Sequence, residues 1–128
     1  MRLRPAFLAV GVALCAGLPG LTVPAHAAPR TVHDYIVANT FVVGYTAKSA
    51  PRNAIKVKTG DWVKWTNLDR TAHDVTFTSL GQSRYLKGYN ASGQLRFTRP
   101  GYYSFVCTIH ASQATMRGLV YVSNTAPY

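Results

Sequence analysis

The stretch Tyr102-Tyr-Ser-Phe-Val-Cys-Thr-Ile-His-Ala-Ser-Gln-Ala-Thr-Met-Arg-Gly-Leu-Val-Tyr-Val122 decides how the rest of the chain is read. Its two flanks, Tyr102 to Cys107 and Met116 to Val122, alternate with the period of two that marks a strand. The loop between them carries a thiol (Cys107), an imidazole (His110) and a thioether (Met116), and a second imidazole, His73, opens another strand-like run upstream. Taken singly these are ordinary residues, since a buried cysteine behaves as a small hydrophobe and a methionine fills gaps. Taken together, two imidazoles, a thiolate and a weak thioether suit copper in both oxidation states: the sulfur ligands favour Cu(I), and imidazole also accommodates Cu(II).

Outward from this stretch, Arg99-Pro100-Gly101 signals a turn, and Gln94 to Thr98 alternates around Leu95 and Phe97. Leu80 to Gly93, with three glycines, is read as a long irregular excursion with a short helical turn. Ala72 to Ser79 reads as a strand with His73, Val75 and Phe77 on one side. Ala54 to Lys58 and Trp62 to Thr66 alternate on either side of Thr59-Gly60-Asp61, which predicts a hairpin. Lys48 to Asn53 is a loop, and Thr31 to Ala47, rich in β-branched and aromatic residues, supplies one or two more strands. Six to eight short strands with no amphipathic helix predict an all-β fold, a Greek-key β-sandwich forming a single domain. Period-two counting puts His73, Cys107 and Met116 on the apolar sides of their strands, so all three can converge at one end of the sandwich.

The N-terminus gives an address. Arg2 and Arg4, an apolar run from Ala6 to Leu21 and the small-x-small ending Ala25-His26-Ala27 compose a signal peptide over residues 1–27, leaving a domain of residues 28–128. A lipid anchor at Cys15 is set aside, because Leu14 is bulky where such processing needs a small residue. The expected location is periplasmic or extracellular, and Cys107 is then the sole cysteine, without an internal disulfide to make. Loss of Arg2 and Arg4 leaves 12 Lys and Arg against four Asp and no Glu, about +8. Such a charge favours acidic redox partners and peripheral contact with anionic membrane surfaces. The cations are scattered along the chain, which argues against nucleic acid. The expected state is a monomer.

The sequence resembles the cupredoxins, the blue type 1 copper proteins, and within them the plastocyanin, pseudoazurin and amicyanin branch. The resemblance rests on residues 57–67 (Val-Lys-Thr-Gly-Asp-Trp-Val-Lys-Trp-Thr-Asn), the interval from Asn67 to His73, residues 100–107 (Pro-Gly-Tyr-Tyr-Ser-Phe-Val-Cys) and residues 116–122 (Met-Arg-Gly-Leu-Val-Tyr-Val). It implies one copper ion held by His73, Cys107 and His110, with Met116 as a long axial ligand and the ring edge of His110 as the point where the electron leaves. It also implies that Asn67 ties the two ligand-bearing loops together by hydrogen bonds near the thiolate. Five residues separate His110 from Met116, more than the branch usually has, so Gln113, whose amide oxygen can also bind axially, is the alternative. Asp74, next to His73, is expected to be solvated, and His33 to be a surface histidine.

The function that follows is an exported one-electron carrier, with copper delivery or storage on the same ligands as the alternative. Zinc can occupy such a donor set in vitro. An oxidase or nitrite reductase would need a second copper site, and with only His33, His73 and His110 left after cleavage the chain is not expected to be an enzyme.

Overall fold

The structure, a computed structural model, describes residues 27–43 and 54–125. The expected signal peptide up to residue 26, including Cys15, the end of the first expected strand region (residues 44–47) and the loop at 48–53 lie outside the described residues.

Nine strands are described: β1 (Thr31–Ile36), β2 (Phe41–Val43), β3 (Ile55–Lys58), β4 (Trp62–Asn67), β5 (His73–Phe77), β6 (Gln82–Leu86), β7 (Ser92–Arg96), β8 (Gly101–Val106) and β9 (Arg117–Ser123). They form two sheets, ordered β2-β1-β4-β7 and β3-β9-β8-β5-β6. The β1–β4 and β3–β9 pairs are parallel and the remaining pairs antiparallel. The result is an all-β sandwich whose connections cross between the sheets.

The alternation in the sequence is the packing seen in space. Ile55 and Val57, Val63 and Trp65, Val75 and Phe77, and Val120 and Val122 are all buried between the sheets. Trp65 sits near the middle, with the rings of Phe77 and Phe105 edge-on at 5.7 and 5.6 Å, an arrangement that matches the positive rim of one ring to the negative face of another. Phe105 also packs over Gly118, its register partner in β9, where a Cβ would overlap the ring. The glycine after Met116 and Arg117 is therefore required by the core.

Two expectations are corrected. β3 and β4 are not a hairpin: β3 pairs with β9, β4 pairs with β1 and β7, and the turn between them carries the chain from one sheet to the other. Asp61 fixes the crossing by accepting the Lys58 N–H at 2.9 Å and the Arg30 N–H at 2.8 Å. Alternation reveals which side of a strand is apolar but not which strand lies beside it. Residues 80–93 are likewise not one irregular excursion, for Gln82–Leu86 is an edge strand paired with β5. Only Leu86 of its residues is buried, so it carries no apolar alternation. The helical turn precedes it at Thr78–Leu80 and is closed by Gly81 at φ +60°.

Three neighbouring strands of the second sheet set up the site. β5 begins with His73, Cys107 follows the last residue of β8, and Met116 precedes β9. Because β5 and β9 both run antiparallel to β8, these ends coincide.

Candidate metal centre

His73 and Cys107 are fully buried, and His110 is half-buried. Cys107 Sγ lies 3.8 Å from His73 Nδ1 and 3.6 Å from His110 Nδ1, and the three ligating atoms all fall within 4.8 Å of one another. An ion bound at roughly 2.0–2.1 Å to nitrogen and 2.3 Å to sulfur, with angles near 120°, holds nitrogen and sulfur about 3.8 Å apart. The spacing in the protein fits such an ion. Among the described residues this is the one group of three histidine, cysteine or acidic side chains so placed. Burial pushes the Cys107 thiol above its usual range, only partly offset by the Asp74 N–H, so a metal entering the site must displace a proton.

Met116 is also fully buried, and its carbonyl accepts the Cys107 N–H at 2.9 Å, so the loop closes on itself beside the thiol. Successive tight turns fold the loop: His110 N–H to Cys107 O at 3.3 Å, Gln113 N–H to His110 O at 2.9 Å and Met116 N–H to Gln113 O at 3.0 Å. Gln113 itself is exposed. Arg117 donates to the Ala111 carbonyl at 2.8 Å and braces the outer part of the loop. His33 is exposed, stacked loosely on Tyr35.

Two carboxylates that the sequence reading left without a role organise the surroundings. Asp74, expected to be solvated, is buried. It accepts the Thr108 N–H and hydroxyl, each at 2.6 Å, and the Thr76 hydroxyl at 2.8 Å, while its own N–H points to Cys107 Sγ at 3.4 Å. Burial alone would raise its pKa, but these donors outweigh burial and lower it. Asp69 accepts the His73 Nε2–H at 3.0 Å, leaving Nδ1 to face the thiol. Such a carboxylate partner selects the tautomer and orientation of a ligand histidine. Here too burial would raise the pKa, and the Asn39 and Ala38 N–H groups together with the His73 ring lower it.

Asn67 acts differently from what the resemblance implies. Its amide donates to the Thr71 carbonyl at 2.8 Å and the Leu86 carbonyl at 3.2 Å, and its oxygen accepts the Asp69 N–H at 2.8 Å. These bonds shape the loop that presents His73, while the tie across to the Cys107 loop is made by Asp74. A short acidic residue next to a histidine was the one signal available for that role.

Residues 49–123 match the copper binding proteins of the plastocyanin/azurin family. Among solved structures, a methionine-to-glutamine variant of amicyanin in its Cu(I) form superposes with a TM-score of 0.57 at 24% identity, covering 73% of this chain and 82% of that one. A reduced proline-to-glycine variant of amicyanin gives 0.52 at 29% identity, over 77% and 85%. A copper-containing nitrite reductase from Thermus scotoductus SA-01 gives 0.55 at 21% identity, covering 92% of this chain but 25% of the enzyme. Among curated proteins no sequence matches the chain. With the family matched over more than half its length and a donor set of the size and type a copper ion needs, the chain is a cupredoxin, a member of the copper-binding plastocyanin/azurin family, and its cofactor is copper.

Proposed function

We propose that this cupredoxin is an exported one-electron carrier in which His73, Cys107, His110 and Met116 hold the copper. The observation that carries the reading is the convergence of two imidazole nitrogens on one buried thiol, framed by hydrogen bonds from Asp69 and Asp74. Bound copper supplies the Cu(I)/Cu(II) couple. The protein's part is to hold one geometry acceptable to both states. Asp69 fixes one imidazole, Asp74 fixes the turn after the thiol, and burial of His73, Cys107 and Met116 excludes water. Met116 is the axial candidate, since it is buried beside Cys107 whereas Gln113 faces solvent.

His110 is the route to a partner. It is half-buried, and Ile109 beside it is 50% exposed, which gives a small apolar contact around the ring. Arg70, Lys87 and Arg117 lie in the segments around this end, next to Asp69, Leu86 and Met116. All four aspartates of the chain are turned inward: Asp34, Asp61 and Asp74 are buried, and the Asp69 side chain is 17% exposed. The side-chain charge left on the surface is cationic, which favours acidic redox partners through steering that weakens with salt.

The test is the visible and EPR spectrum of the copper-loaded protein with Cys107→Ala, Met116→Gln and Gln113→Ala alongside. Expected are an intense blue thiolate band and reversible reduction in the wild type, and loss of the band in Cys107→Ala. The potential should fall in Met116→Gln and stay unchanged in Gln113→Ala. A wild-type protein that stays colourless with Cu(II) overturns the reading. Rapid surrender of Cu(I) to a chelator would point instead to delivery or storage.

A further inference from the structure

We propose that the β1–β2 turn, residues 37–40, is a brace that joins the two ligand-bearing loops from the opposite sheet; this rests on the copper reading above. Neither β1 nor β2 carries a ligand, and both belong to the β2-β1-β4-β7 sheet. Their turn nevertheless lies against the site, because β1 runs beside β4 to the pair Ile36 and Asn67, and the Leu68 N–H continues onto the Ile36 carbonyl at 2.9 Å.

The turn has an unusual backbone. Ala38 and Asn39 are both left-handed, at φ +48° and +53°. Two-residue hairpin turns of this hand usually place glycine second, after asparagine or aspartate, and alanine has no side-chain group to favour the conformation. Its consequence is directional. The N–H groups of both residues reach one carboxylate, Ala38 to Asp69 Oδ1 at 2.7 Å and Asn39 to Asp69 Oδ2 at 2.9 Å. The Asn39 carbonyl meanwhile accepts the Thr115 hydroxyl at 2.8 Å.

Each of these contacts leads to a ligand. Asp69 holds His73 Nε2 at 3.0 Å. Thr115 immediately precedes Met116, whose carbonyl receives the Cys107 N–H. A continuous path therefore runs from His73 through Asp69, the turn and Thr115 to the Cys107–Met116 closure. It complements the direct tie from Asp74 to Thr108, and the two paths approach the site from different sheets. A backbone held in a sparsely populated region persists where its surroundings over-determine it, and such places cluster at functional sites. Here the over-determining contacts are the ones that connect the ligand loops.

A merely structural turn and a brace differ in what they do to the loops. In the metal-free protein, Thr115→Val removes the hydroxyl at nearly constant volume, and the rate at which a small reagent alkylates buried Cys107 reports opening of the loop. We expect about a five-fold increase, the equivalent of one side-chain hydrogen bond, with wild-type behaviour restored in Thr115→Ser. Asp69→Asn should leave Cys107 closer to wild type and instead mix the His73 tautomers in nitrogen-15 spectra of the ring. Each variant should also shift the copper EPR pattern in the loaded protein. Unchanged alkylation in Thr115→Val and a single unchanged His73 tautomer in Asp69→Asn would overturn the brace. A colourless wild type whose apo variants still show the two effects would overturn the copper reading and leave the brace standing.

Discussion

His73 reaches the site from a strand, fully buried, with its outer ring nitrogen spent on Asp69. His110 reaches it from a loop, half-exposed, between half-exposed Ile109 and exposed Ala111. The surroundings follow the same division. On the His73 side Asn67, Asp69 and Asp74 tie the backbone to three other segments, whereas the His110 side is held by its own tight turns and by the Thr108, Thr115 and Arg117 contacts. One half of the site is a fixed wall and the other is a thin door, so a copper ion held there would be shielded from water on one side and close to the surface on the other.

The sharpest way to break this contrast is to delete each ring and offer a substitute. In His110→Gly, free imidazole should enter from solvent and restore the blue band nearly completely, whereas in His73→Gly the buried space should admit none. Equal rescue at both positions, read by visible absorption during an imidazole titration, would erase the distinction between wall and door.

The next effect lies behind the wall, in the sheet without ligands. Asp34 is fully buried on β1, beside its register partner Trp65 on β4. Burial, eased only in part by the Tyr35 N–H, the Trp65 indole and Val42, pushes its carboxyl up to about 7. The folded state therefore holds a proton that the unfolded chain releases near its ordinary value of 3.8, and this stabilisation, present in full at low pH, is lost as pH rises through 7. The loss is of order 2–4 kcal/mol. Asp69 and Asp74, with lowered values, work the other way: their contribution is present above the ordinary carboxylate value and disappears on acidification below it. Urea midpoints of the apo protein should fall between pH 4 and 7, and Asp34→Asn should flatten that slope without moving the copper spectrum.

Asp74→Ala tests the bond between wall and door. Losing three hydrogen bonds to a charged, buried acceptor should cost about 3 kcal/mol, measured by thermal unfolding. Asp74→Asn, which can still accept from the Thr108 N–H, should cost less and raise the reduction potential by removing a nearby negative charge. The smallest effect is expected where the door meets the core: Gly118→Ala forces a methyl against the Phe105 ring and should destabilise by about 2 kcal/mol, with the spectrum altered only as far as Phe105 displaces its neighbour Cys107.

The sequence displayed some of this and concealed the rest for physical reasons. The grouping of His73, Cys107 and His110 was legible because metal donors are chemically distinctive and strand parity indicates which way they point. The strands β3, β4, β5, β8 and β9 were legible because inward apolar residues recur at every second position along each. Partnership was not: β3 and β4 looked like a hairpin because local pattern specifies facing and leaves neighbours open, and β6 was hidden because an edge strand with one buried residue has no pattern to show. Asp69, Asp74 and Thr115 act through backbone groups and rings brought near them by the whole fold, and Asn67 was given the crossing role that belongs to Asp74 for the same reason.

The complete burial of Cys107 also bears on the reactivity of its sulfur. A thiol that solvent cannot touch is poorly placed to be oxidised or to couple to a neighbouring molecule. The burial that sets this sulfur beside two imidazoles thereby also slows its reaction with anything in solution.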